Sequence, residues 1–142
     1  MPRFRVVMDT NVLISALWSR RGASSELLRL LRLGHWRLLL SNHLLFEYEE
    51  VSKRCAADLQ LTTDDIDHVL DALCADAEHH SLLTRWEPRL VDPDDEPIVQ
   101  LAVEARADAI VTHNIRHLKP AEEFGIMVLL PRELLTTIEA KR

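Results

Sequence analysis

Glycine is scarce in this chain: three in 142 residues, at Gly22, Gly34 and Gly125. That leaves little room for flexible linkers, and neither an internal repeat nor a low-complexity tract is present. Cysteine is scarcer still. Cys55 and Cys74 fall in helix-like segments without metal-ligand spacing, which excludes a disulfide framework and a cysteine-rich zinc site and reads as two reduced thiols. No apolar run approaches the roughly 18–20 residues that a membrane span needs. No positively charged region leads into a long apolar stretch at the N-terminus, so no signal peptide is visible. The expectation is a cytoplasmic protein with no membrane partner. Excess positive charge is also missing: the formal net charge is −6, unlike a protein that simply coats nucleic acid. A carboxylate cluster escapes that exclusion, because a bound cation neutralises it and then bridges to phosphate. Walker, GxSxG and HExxH patterns are absent too.

What is present suits one domain over residues 1–142 with an ordinary apolar share of 47%. Residues 4–8 read as a short buried strand running into Asp9-Thr10-Asn11-Val12. Residues 12–18 look helical and break at Ser19 to Gly22. Leu27, Leu28, Leu30 and Leu31 follow helical spacing, with Gly34 suited to the position just past a helix end. Trp36 to Leu40 reads as the second strand, and Ser41 or Asn42 caps a helix to about Arg54. Thr62 or Thr63 caps another, with Ile66, Val69, Leu70, Leu73 and Ala77 at core spacing. A short third strand is expected at Ser81 to Thr84. Asp94 or Asp95 is expected to cap a helix with Pro97 in its first turn. Ala109 to Thr112 and Ile126 to Leu130 complete the strands, and Pro131 opens a final helix. Alternating strands and helices imply an α/β fold: a parallel sheet with helices on both faces, its strand C-termini along one edge.

The chemistry-bearing residues gather at that edge. Asp9 stands at the mouth of the first strand, where open α/β sheets place their sites, although capping the next helix would also explain it. Asn11 can shape the same turn. Glu47 and Glu49 lie at opposite margins of one helix's apolar face, and periodicity does not choose between them. Asp94 and Asp95 lead into an apolar helix whose N-terminus points to the same mouth. Asn114 follows the fourth strand, behind Thr112. Hard oxygen donors of this kind favour Mg²⁺ or Mn²⁺ over zinc. Arg3, Arg5, Arg20, Arg21, Arg29, Arg32 and Arg37 either line a substrate track or solvate the surface.

Four segments, in this order, resemble the PIN-domain family of metal-dependent nucleases, in particular its VapC-like toxin branch. They are Val7-Met8-Asp9-Thr10-Asn11-Val12-Leu13, Leu40 to Glu47, Asp92-Pro93-Asp94-Asp95 running into Ile98 to Ala102, and Ile110 to Asn114. The resemblance covers essentially the whole chain. It implies a three-layer α/β/α fold with a central parallel sheet of about five strands in the order 3-2-1-4-5. It implies Asp9, Glu47 and Asp95 as metal-binding acids, with Asp94 the close competitor of Asp95. Asn114 stands where relatives carry Asp or Asn, and Thr112 matches their Thr or Ser; Asn11, Thr112 and Ser41 would support the ligands. The implied activity is Mg²⁺- or Mn²⁺-dependent endoribonuclease cleavage of RNA, by a frequent homodimer that a small antitoxin inhibits. Two other readings compete: a catalytically silent PIN fold that binds RNA or protein, and a different α/β phosphate enzyme or receiver. A haloacid-dehalogenase phosphatase would need aspartate where Asn11 stands, and a receiver would need an acidic pair and a late lysine that are not in place.

Overall fold

Apolar residues concentrated in five short strands build the centre of the molecule. The computed structural model describes residues 3–82, 86 and 93–141. The strands are β1 (Phe4–Met8), β2 (Trp36–Leu40), β3 (Ala77–His79), β4 (Ala109–Val111) and β5 (Met127–Leu129). They form one parallel sheet in the order β3-β2-β1-β4-β5, as the resemblance implied. Val6 at its centre pairs with Leu38 on one side and Ala109 on the other. Val6 to Met8, Leu38 to Leu40 and Ala109 to Val111 are all fully buried. Central parallel strands are covered on both faces and so read as continuous apolar runs. The edge strand β3 is instead Ala-Glu-His, and its Glu78 carboxylate holds Arg5 and His80.

The helices are α1 (Thr10–Trp18), α2 (Ala23–Arg32), α3 (Asn42–Arg54), α4 (Ala56–Leu59), α5 (Thr63–Asp76), α6 (Glu96–Glu104), α7 (Ile115–Leu118) and α8 (Pro131–Ala140). Local sequence sets their ends. Gly34, at φ +82°, closes α2: its N–H donates to the Leu31 carbonyl at 3.0 Å, and the His35 N–H to Leu30 at 3.0 Å. This pairing satisfies two carbonyls at the helix end, and its left-handed residue favours glycine. Buried Ser41 caps α3 by accepting the Leu44 N–H at 3.2 Å. Thr62 and Asp65 cap α5 reciprocally, at 3.0 and 2.9 Å. Thr62→Ala, which removes one half of that exchange, is expected to cost about 1 kcal/mol in urea unfolding with an unchanged m-value; no loss would show the cap to be dispensable.

Two sequence expectations are corrected. The third strand of the sheet is Ala77–His79, and Ser81 and Leu82, where the expected strand began, are not in one. Helix α5 passes into it without a loop, so Ala77 continues the helical spacing in sequence while starting a strand in space. Residues 83 and 84 lie outside the described residues, as does Asp92. Asp95 does occupy the position before α6, but its backbone is helical (φ −87°, ψ −14°) and its side chain makes no cap hydrogen bond. A 3₁₀ turn, Pro93–Asp95, precedes it, so helical geometry begins too early for a side-chain cap. No helix among the described residues is long and apolar enough to cross a membrane.

Candidate active site

The buried end of β1 delivers Asp9 to the C-terminal edge of the sheet. The Asp9 N–H donates to Val111 of β4 at 2.9 Å, which continues the strand pairing one residue further. Asp9 precedes α1 with an extended backbone but makes no side-chain cap bond, so capping does not account for it. Its carboxylate instead accepts the Thr112 hydroxyl at 2.7 Å, across 103 residues of sequence. The same Thr112 oxygen accepts the Asn114 N–H at 2.9 Å. Thr112 is fully buried and Asp9 is 7% exposed.

Three carboxylates meet electrostatically here. Burial pushes the Asp9 pKa from 3.8 up to about 6, and the nearby Asp95 and Glu47 carboxylates add to the rise; the Thr112 hydroxyl and the Thr10 backbone act against it. Asp94 is exposed and is not among the groups acting on Asp9, so the geometry favours Asp95 of the two. Glu47 accepts a hydrogen bond from the Thr10 hydroxyl. Glu49 turns away to Lys53 at 3.4 Å and Glu50 to Arg54 at 3.3 Å, so only Glu47 of the three faces the site.

The remaining candidates divide. The Asn11 side-chain oxygen accepts the His113 N–H at 3.2 Å, which pins the loop after β4 to α1. Asn114 sits at the mouth with an exposed side chain and φ −106°, outside the left-handed region that asparagine can adopt in turns. The Ser41 hydroxyl is engaged in capping α3 rather than on an acid. Three residues escaped sequence reasoning as parts of the site. Thr10 holds Glu47. Tyr48, fully buried, donates its hydroxyl to the Met8 carbonyl immediately before Asp9; burial, then Asp9 and Glu47, pushes its pKa well up, so it stays a neutral donor. His117 stands 3.9 Å from Asp95. Thr10 and Tyr48 each adjoin a candidate acid in sequence, and that adjacency was the available signal.

An all-oxygen donor set around Asp9 suits a hard divalent cation. Among the described residues no three His, Cys, Asp or Glu side chains are arranged to hold a metal ion as they stand. The two observations are compatible: Asp95 and Glu47 lie close enough to repel the Asp9 carboxylate, and a cation is what offsets that repulsion.

Comparison with known proteins agrees with this architecture. The PIN domain family matches residues 5–116. A search of curated proteins finds no match. Among solved structures, the chain is similar to one in the crystal structure of VapBC2 from Rickettsia felis bound to a DNA fragment from their promoter. That likeness has a TM-score of 0.62 and 15% identity, and covers 88% of this chain and 97% of the other. A match over most of the length, on a sheet of this order with Asp9 at its mouth, establishes that the chain belongs to the PIN domain family.

Proposed function

We propose that this chain is a divalent-metal-dependent endoribonuclease in which Asp9, Glu47 and Asp95 hold a Mg²⁺ or Mn²⁺ ion. The observation that carries the proposal is the placement of Asp9: buried at the mouth of the sheet, its carboxylate held by the Thr112 hydroxyl, with the Glu47 and Asp95 carboxylates close enough to act on it. When bound, the ion supplies Lewis-acid polarisation of the scissile phosphodiester and activation of water. The protein's part is positioning. Thr112 orients the Asp9 carboxylate and Thr10 orients Glu47. Asn114, the fourth member of the set, presents an amide at the mouth, and Asn11 fixes the loop that carries it. Asp94 and Ser41 take no ligand role in this reading.

The VapC-like character of the motifs extends the proposal. The chain acts in the cytoplasm as one domain over residues 1–142, as the homodimeric toxin of a toxin–antitoxin pair, its acidic site closed by a small antitoxin. The VapBC2 likeness supports this by fold. The competing reading is a silent PIN fold that binds RNA or protein, favoured by the lack of a ready three-residue metal site among the described residues.

Labelled mixed-sequence RNA separates the two readings. Cleavage is expected with Mg²⁺ or Mn²⁺, lost in EDTA and restored by excess metal. No cleavage with either ion, together with no metal binding by calorimetry, would sink the nuclease and leave the binding module.

A further inference from the structure

Beside the Asn11–His113 contact lies an open-mouthed cavity of about 450 Å³, lined from α1, α2, the loop after β4 and the start of α8. Its polar lining is Ser15, Ser24, His113, Arg132 and Glu133. Ser15 is four residues along α1 from Asn11, about 6 Å of rise, so the cavity continues the same helix face away from Asp9. Most of the lining groups are donors. The buried Ser24 hydroxyl points to Ser15 at 3.3 Å, a long contact that leaves capacity in both hydroxyls. The His113 N–H is committed to Asn11, and its imidazole donates at one ring nitrogen when neutral and at both when charged. Arg132 has no ion-pair partner among the described residues, and guanidinium matches phosphate in a bidentate fork. The single lining carboxylate, Glu133, is turned onto its own helix end, accepting the Leu130 N–H at 2.8 Å. Arg132 also lies beyond residues 5–116, the span matched by the family.

We infer that this cavity is an anion subsite that seats a phosphate of the RNA strand next to the one cut, with Arg132 and His113 as its principal contacts. The inference rests on the nuclease reading for the identity of the ligand, but not for the anion site itself. Placed one helical turn from Asn11, the subsite sets the direction in which the strand leaves the acidic centre. Phosphate contacts of this kind position a strand without reading its sequence.

Two measurements in EDTA test it. Inorganic phosphate is titrated into the ¹⁵N-labelled protein, and saturable shifts are expected at the Ser15, Ser24, His113 and Arg132 amides. They should weaken about tenfold in apparent affinity in Arg132→Gln and tighten in Glu133→Gln, which removes the negative charge but keeps the cap acceptor. Binding of a mixed-sequence single-stranded RNA to Asp9→Asn protein is then followed against salt. Adding Arg132→Gln should reduce the slope of log affinity on log salt by about 0.7, the value for one lost single-strand phosphate contact. Arg54→Gln, whose partner is Glu50 on the outside of α3, should leave that slope unchanged. Absent phosphate shifts, or shifts that ignore both substitutions, overturn the anion site. Phosphate binding with a salt slope unaffected by Arg132→Gln overturns its place on the RNA path. Failure of the nuclease reading shows separately, as no metal-dependent cleavage by wild type while the phosphate shifts persist.

Discussion

Asp9→Asn is expected to abolish RNA cleavage and, without metal, to make the protein more stable at neutral pH. The two effects share one cause. The Asp9 carboxyl has a reference value of 3.8 and a folded value of about 6, so the folded chain holds its proton more tightly than the unfolded one. The stability this contributes is complete below about pH 3.8 and is lost as pH rises through about 6. For a displacement of that size the loss is about 3 kcal/mol. Asparagine carries no charge to bury, and its amide oxygen still accepts the Thr112 hydroxyl. In EDTA at pH 8 the variant should therefore melt on the order of 10 °C above wild type, and the two should converge near pH 4. Magnesium should raise the wild-type melting temperature and leave that of the variant unmoved. Cleavage should fall by at least about 10³-fold, the scale of the charge stabilisation a metal ion supplies. A variant that melts below wild type at pH 8 in EDTA would mean that Asp9 is not an uncompensated buried acid. Retained cleavage would remove it from the metal site.

Thr112→Val should give the next largest loss. Valine keeps the shape of this fully buried side chain but removes the hydroxyl that donates to Asp9 and accepts from Asn114. Both the carboxylate's orientation and the course of the chain to Asn114 then lose their anchor. Groups that orient metal ligands typically carry 10–100-fold in metal affinity or activity. The metal concentration for half-maximal cleavage should rise by about that factor. Because the Thr112 hydrogen bond acts to lower the Asp9 pKa, its removal should also move the stability lost with pH in EDTA to higher pH. Thr112→Ser restores the hydroxyl and should recover most of both effects. If serine and valine behave alike, Thr112 contributes packing rather than orientation.

The fold was legible because its central strands are buried on both faces. Val6 to Met8, Leu38 to Leu40 and Ala109 to Val111 stand out in sequence for the reason they stand at the centre in space. Strand β3 was not legible: an edge strand of three residues, two of them polar, has no such signature, and α5 runs into it without punctuation. At the site, Asp9 could be picked out from its place after a buried strand. Glu47 could not be separated from Glu49 by periodicity, because both flank the apolar face. What separates them is Thr10, brought across from α1, a contact that exists only after folding. The same holds for Asp95 over Asp94, which differ by one position in sequence and by burial in space. The Arg132 cavity lay further from view, since its walls come from four stretches of chain that share no motif.

The 103-residue span between Asp9 and Thr112 also fixes when the site can exist. Asp9 leaves the ribosome first, Glu47 and Asp95 follow, and Thr112 arrives 103 residues after Asp9. At roughly 5–20 residues per second, the aspartate waits about 5–20 s for the hydroxyl that orients it. Until β4 has slid in beside β1, the growing chain carries an acid with no assembled centre around it. A product truncated before β4 stays in that condition. The order in which the sheet is written thus acts as a safety catch: the proposed nuclease is not armed before β4 has been made.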